Sequence, residues 1–272
     1  LTGEERAAKP AAETLMPLCQ FRWLSSVLKK RVETHVIYPS VGLYPSVGLP
    51  PFPTLYLLHG LTDDSSAWCR FTRIESYVAE LPLIVVMPDG FRGFYTVNEE
   101  GPDYATYTAF ELPEVIERTF RARDDRAGRC VGGLSMGGYG AMRLALGFPD
   151  RYISADSQSG AVMFGTVLPT RIADAVRVFG PSPAGTEHDL LHLAARARDK
   201  GQLPRLRLDC GTGDHLLGDN REFHRRLAEL GVEHEYIENE GAHNWDYWDR
   251  HIRDALEFHC RALGIPSDSL RK

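Results

Sequence analysis

No stretch of the 272-residue chain approaches the ~18 consecutive apolar residues that a helical membrane span needs, so a bilayer-spanning protein is not expected. Clusters of basic residues are missing too: 31 Lys and Arg stand against 37 Asp and Glu, a formal net charge of −6. Nucleic acid and anionic membrane surfaces are therefore poor partners, and small neutral or weakly charged molecules suit the chain better. Cysteine is scarce. Cys19, Cys69, Cys130, Cys210 and Cys260 are odd in number, far apart and without a C-x-x-C pair, which argues against a disulfide framework or a zinc site and for buried reduced thiols. The first residues, LTGEERAAKPAAE, carry charge where a signal peptide needs an apolar core, so the cytoplasm is the expected compartment.

Glycine, in contrast, is concentrated. Residues 131–140 read VGGLSMGGYG. Neither the G-x-x-x-x-G-K-[ST] loop nor the G-x-G-x-x-G fingerprint fits these glycines, which removes the two common phosphate-cradling explanations. What fits is Gly133-Leu134-Ser135-Met136-Gly137, a G-x-S-x-G pattern. Small residues on both sides let a strand turn abruptly into a helix and hold a serine hydroxyl out of the sheet. A Gly-rich turn around an ordinary serine would read the same way, so Ser135 needs partners before it becomes a nucleophile.

Hydrophobic period and punctuation give alternating strands and helices from about residue 30. Strands are expected at 31–38, 54–59, 83–88, 129–134, 153–158, 204–210 and 234–238, several of them short continuous apolar runs of the kind covered on both faces. Helices are expected at 71–80, 109–122, 135–147, 170–179, 187–199, 219–230 and 244–262. The alternation predicts an α/β fold, a mostly parallel central sheet with helices on both faces, as a single domain over 1–272 with 1–30 as an N-terminal extension. Two segments break the regularity. Residues 38–49, YPSVGLYPSVGL, are a tandem six-residue copy that lengthens a loop, and 160–190 is an excursion suited to covering a pocket.

A serine hydroxyl is a poor nucleophile unless a base takes its proton and an acid orients that base. In elbow-type hydrolases the chain order is Ser, then Asp or Glu, then His, on loops at the carboxyl ends of later strands. CGTGDHLLGDN after 204–210 supplies Asp214, and ENEGAHNWDYW after 234–238 supplies His243. Asp209 and Asp219 compete for the acid role; Asp209 should lie within the strand, and Asp219 reads as a helix cap. The oxyanion of a tetrahedral intermediate needs backbone N–H donors, expected from Met136, the residue after the nucleophile, and from Leu61 in LLHGLTDDSSAW. His59 at that strand end reads as a packed, hydrogen-bonded residue rather than a second base. His188 and His192, at i and i+4, read as a solvated helix face rather than metal ligands, and no metal is expected. Trp245, Trp248, Ile252 and Leu256 recur at helical spacing as a buried stripe. Trp68, Met163, Phe164 and Trp245 are candidate pocket walls, with core packing as the alternative.

Taken together, LYLLHGLTDDSSAW, LIVVMPDG, GLSMGGYGAMRLAL, CGTGDHLL and GAHNWDYW resemble the esterase D family of α/β-hydrolases, and most closely its bacterial tributyrin-esterase-like branch. The similarity spans about 31–262. It implies an α/β-hydrolase fold and a serine carboxylesterase acting on short acyl esters, with Ser135, Asp214 and His243 as triad and Leu61 and Met136 as oxyanion donors. That family also contains S-formylglutathione hydrolases, acetylxylan and feruloyl esterases and mycolyltransferases. An acyltransferase and an inactive binding protein on the same fold are the rival readings. The chemistry needs no cofactor. The expected partner is a small ester substrate, and self-association into a homo-oligomer stays open.

Overall fold

The structure, a computed structural model, describes residues 17–41, 44, 47–170 and 172–271. Eight strands form one sheet: β1 (Leu18–Ser25), β2 (Lys30–Ile37), β3 (Thr54–Leu58), β4 (Ile84–Pro88), β5 (Arg129–Leu134), β6 (Ser154–Gln158), β7 (Arg205–Gly211) and β8 (Glu235–Asn239). Their spatial order is β1-β2-β4-β3-β5-β6-β7-β8. Pairings from β4 through β3 to β8 are parallel, while β2 runs antiparallel to both β1 and β4. This is the α/β-hydrolase fold, a mostly parallel sheet with helices on both faces.

Alternation along β3 shows how one short apolar run serves two cores. Tyr56 and Leu58 pack on one face with Val131, Met142 and Leu144, whereas Leu55 and Leu57 pack on the other with Trp68, Ile252 and Leu256. Every residue of β3, β4, β5 and β6 is buried. Strands covered on both faces have no solvent side to alternate with, and each fully buried Leu, Val or Ile contributes about 1.5–3 kcal/mol relative to exposure. The helix Met136–Gly147 covers the first face, and the helix Trp245–Leu263 covers the second with Trp248, Ile252 and Leu256.

One expectation needs correction here. The stretch read as an N-terminal extension contains β1, which pairs with β2 along its whole length from Leu18↔Ile37 to Ser25↔Lys30. β1 is an edge strand in which exposed Leu18, Gln20, Arg22 and Leu24 alternate with half-buried Cys19, Phe21 and Trp23. Such a strand lacks the continuous apolar run that marks its central neighbours. Residues 1–16, and Gly42, Leu43, Pro45 and Ser46 within the tandem copy, lie outside the described residues. The 160–190 excursion leaves β6, makes a single short helix among its described residues, Ala175–Phe179, and returns to the helix Leu190–Asp199. Its two ends meet at Gly165, where a Cβ would lie 1.7 Å from the carbonyl oxygen of His188, so only glycine fits that crossing. No described helix is long and apolar enough to cross a membrane.

Candidate active site

β5 ends at Leu134 and the helix begins at Met136, which leaves Ser135 alone to turn the chain. It does so at φ 53° and ψ −115°, a conformation costly for any residue with a side chain. Close packing holds it there. A Cβ on Gly133 would approach the carbonyl oxygen of Leu58 to 2.7 Å, and one on Gly137 would approach the same oxygen to 2.4 Å. The glycines of the motif thus let β3 and the elbow touch backbone to backbone. Hydrogen bonds from Ser135 N–H to the Gln158 carbonyl (2.9 Å) and from Ala161 N–H to the Ser135 carbonyl (3.0 Å) secure the strained residue.

The loops after β7 and β8 are tied together. Thr212 N–H donates to the Asn239 carbonyl at 2.8 Å and Gly213 N–H to the Gly241 carbonyl at 2.7 Å. Asn244 then caps the following helix by accepting from Tyr247 N–H at 3.0 Å, which fixes the position of His243 just before it. The result is a hydrogen-bonded chain. His243 Nε2 lies 3.0 Å from Ser135 Oγ, and His243 Nδ1 lies 2.8 Å from Asp214 Oδ2. With the ring proton on Nδ1, the imidazole donates to Asp214 and leaves Nε2 to accept from the serine. Burial raises the Asp214 carboxyl, but hydrogen bonds from His243 and from the Leu216 backbone N–H outweigh it and hold the group below the ordinary carboxylate range.

The competing acids are placed elsewhere. Asp209 is fully buried within β7, where it accepts from Tyr247 Oη at 2.8 Å and pairs with Arg207. Asp219 is not the helix cap: the N-cap position of the helix Leu217–Glu229 belongs to Leu216, and Asp219 sits in the first turn. His59 is buried with both ring nitrogens engaged, Nε2 accepting from Gly90 N–H at 2.9 Å and Nδ1 donating to the Gly60 carbonyl at 2.7 Å.

Ser135 and His243 open into a cavity of about 410 Å³. Leu61 and Met136 border it, and among the described residues neither backbone N–H has a protein acceptor. Met136 is the first residue of its helix, so its N–H has no partner within the helix. Phe164 and Trp245 line the cavity. Trp68 does not. It is fully buried, donates Nε1–H to the Leu58 carbonyl at 3.1 Å and presents its edge to Trp245 at 5.4 Å, so it supports a wall from behind. Met163 faces an adjoining depression with Val167 and Leu168. His188 is also corrected: it precedes its helix, is buried rather than solvated, and meets Thr96 Oγ1 at 3.0 Å.

Sequence reasoning missed Phe94, Ile172, Asp63 and His215 on the cavity wall. His215 follows Asp214 directly, and that adjacency was the available signal. Phe94 carried none, because it reaches the cavity through a loop with φ 50° at Phe94 and 52° at Tyr95. A wider depression of about 860 Å³ lies at the amino end of β5 among Phe110, Arg129 and Arg151, without a serine or histidine on its wall.

The family model Esterase matches residues 25–259. An acetyl esterase of Caldicellulosiruptor saccharolyticus is 30% identical over 260 residues, covering 89% of this chain and 98% of its own. Among solved structures, the fluorophosphonate-binding serine hydrolase F of Staphylococcus aureus superposes with a TM-score of 0.83 at 28% identity, over 89% of this chain and 98% of that one. An S-formylglutathione hydrolase of the same organism gives a TM-score of 0.79 at 29% identity with the same coverage.

Proposed function

The chain belongs to the Esterase family and is a serine carboxylesterase, and within that frame we propose that Ser135 is its nucleophile, His243 its general base and Asp214 the acid that orients the base. The observation that carries this reading is the hydrogen-bonded chain of 3.0 and 2.8 Å from Ser135 through His243 to Asp214, open to a cavity at its serine end.

In the acylation step His243 Nε2 takes the proton of Ser135 Oγ as that oxygen attacks the ester carbonyl. The carbonyl oxygen gains the negative charge, and the backbone N–H groups of Met136 and Leu61 receive it. Each such donor is commonly worth about 10²–10³ in rate. The imidazolium is stabilised by Asp214 and gives its proton to the departing alcohol, forming the acyl-serine. Water then enters, His243 takes a proton from it, and the same steps release the acid. The strained Ser135 backbone keeps Oγ at the apex without reorganisation during the reaction.

We assign short acyl esters as substrates. The cavity is near the lower end of the ~300–1,000 Å³ usual for ligand sites, and Phe94, Phe164 and Trp245 narrow it. The 29% identity to an S-formylglutathione hydrolase supports a second reading, a thioester leaving group handled by the same triad. The test is initial rates on p-nitrophenyl esters from acetyl to decanoyl, with S-formylglutathione and methyl ferulate alongside, for wild type and Ser135→Ala. A Ser135-dependent maximum at short aliphatic acyl groups is expected. A dominant rate on formylglutathione or ferulate would replace the substrate and keep the mechanism, whereas turnover that survives Ser135→Ala would remove the elbow from the chemistry.

A further inference from the structure

His215 has no part in the reaction just described, yet it stands against both the acid and the base. Its ring packs on the ring of His243 with centroids 4.5 Å apart and planes at 63°. The two oxygens of the Asp214 carboxylate face different imidazoles: Oδ2 lies 2.8 Å from His243 Nδ1, and Oδ1 lies 3.6 Å from His215 Nδ1. One ligand atom from each of the three residues falls within 4.8 Å of the other two. The His215 side chain is 52% exposed and lines the cavity, so an ion from solvent can reach it, while the carboxylate behind it is fully covered.

Two imidazoles and a carboxylate are a donor set for borderline divalent ions, with Zn–N and Zn–O distances of about 2.0–2.2 Å. We propose that Asp214, His215 and His243 form an inhibitory site for Zn²⁺ or a similar transition-metal ion, bound through both Nδ1 atoms and the carboxylate, with the fourth position facing the cavity. Regular four-coordination sets the ligand atoms about 3.4 Å from one another, so the 2.8 Å His243 Nδ1–Asp214 Oδ2 contact must open while the His215 nitrogen draws in.

Inhibition follows from the tautomer. A neutral His243 imidazole that gives its Nδ1 lone pair to the metal carries its one proton on Nε2, so no proton is gained or lost overall. That Nε2–H then faces Ser135 Oγ and cannot accept the serine proton. The metal also takes the carboxylate lone pair that otherwise orients the ring. Mg²⁺ and Ca²⁺, which favour all-oxygen ligation, should leave the rate unchanged. The inhibitory consequence rests on the role assigned to His243 under the proposed function; the binding site itself does not.

A second imidazole pair, His224 Nδ1 to His234 Nε2 at 2.8 Å, could also take up metal, so the test compares variants rather than counting ions. Untagged wild type and His215→Phe, which keeps a ring against His243 but offers no ligand, are titrated with ZnCl₂ during p-nitrophenyl acetate hydrolysis. Each rate is referred to that variant's own metal-free rate, and EDTA is added at the end. In parallel, CoCl₂ is added to wild type, Ser135→Ala and His215→Phe, and the visible spectrum is read for the intense bands of four-coordinate Co²⁺. We expect EDTA-reversible inhibition of wild type, a half-inhibitory Zn²⁺ concentration at least about tenfold higher for His215→Phe, and cobalt bands in wild type and Ser135→Ala that His215→Phe loses. Equal zinc sensitivity of the two chains, or cobalt bands unaffected by His215→Phe, would overturn the proposal. If the wild type hydrolysed no ester, the functional reading would fail, and the cobalt spectra would still decide the site.

Discussion

Asp209 and Asp214 lie five residues apart at the carboxyl end of β7, both deeply buried, and they are compensated in opposite ways. Asp209 shares the Arg207 guanidinium with Asp156, whose Oδ1 lies 2.6 Å from Nη1, and it accepts from Tyr247 Oη. Burial pushes the Asp156 carboxyl up to about 7 even beside Arg207. Arginine does not lose its proton in a protein, so the positive charge that Arg207 sets beside Asp209 is the same before, during and after any reaction. Asp214 instead faces an imidazole. A neutral imidazole leaves the carboxylate's field uncompensated until the moment the ring accepts a proton, and only then does the attraction reach full strength. That interaction is stronger in the transition state than in the ground state, which is the condition for catalysis. The comparison teaches that a buried aspartate becomes useful to chemistry when its partner can change charge, and serves architecture when its partner cannot.

The largest effect separating the two regions should come from Ser135→Ala. Loss of the proposed nucleophile is expected to lower kcat by about 10⁴–10⁶-fold and to abolish labelling by a fluorophosphonate probe, with the thermal midpoint held. An unchanged kcat would break the comparison at its root, because the Asp214 network would then serve no reacting atom.

Asp214→Asn comes next, with kcat expected to fall by about 10⁴-fold while the protein stays folded. This substitution also has a pH signature. The Asp214 carboxyl is held below its ordinary range in the folded chain. It therefore adds stability above the unfolded carboxylate range near pH ~4, and that stability is lost as pH falls through the lowered folded value. Urea unfolding at several pH values should show the stability gap between wild type and Asp214→Asn shrinking below pH ~4.

Arg207→Ala is predicted to reverse the pattern. Removing one partner of a buried ionic cluster costs about 3–5 kcal/mol, or about 10²–10⁴ in the unfolding constant, because the remaining charges lose their compensation. The activity of the molecules that remain folded should change by no more than a few fold. Urea midpoints and kcat corrected for the folded fraction check both halves. A loss of kcat comparable to that of Asp214→Asn would mean that the Arg207 cluster acts on the chemistry as well as on the architecture.

Much of this layout is legible in the sequence, for physical reasons that differ by residue. β3 and β4 announce themselves as short unbroken apolar runs because both of their faces are covered, and Gly133 and Gly137 stand out because a Cβ at either would strike the Leu58 carbonyl. The approach of Asp214 and His243 to Ser135 follows from chain order, since parallel strands deliver their following loops to the same edge of the sheet. β1 is hidden because an edge strand needs only one half-buried face. The cap before 219–230 is misread because the helix starts two residues earlier, at Leu217, where Leu216 at the N-cap position offers no side-chain acceptor and leaves Asp219 inside the first turn. Trp68 and Trp245 illustrate the remaining difficulty. Both are near site residues in sequence, and only packing in three dimensions decides which one lines the cavity.

That last distinction yields the smallest and sharpest prediction. Trp245 lines the cavity with its ring between Trp68 and Trp248, at 5.4 and 5.3 Å. Trp245→Ala should enlarge the acyl or alcohol space and shift relative kcat/KM toward longer esters by about 10-fold, the scale set by ~1–3 kcal/mol of altered pocket contact. Trp68→Phe keeps an aromatic ring behind that wall but removes the Nε1–H donor to the Leu58 carbonyl, a hydrogen bond worth about 1 kcal/mol in stability. Its ester preference should stay within about twofold of wild type, since the Trp245 face that lines the cavity is retained. If Trp68→Phe moved the chain-length profile as far as Trp245→Ala, the wall would be soft enough for its support to set specificity. The two tryptophans would then have to be treated as one unit.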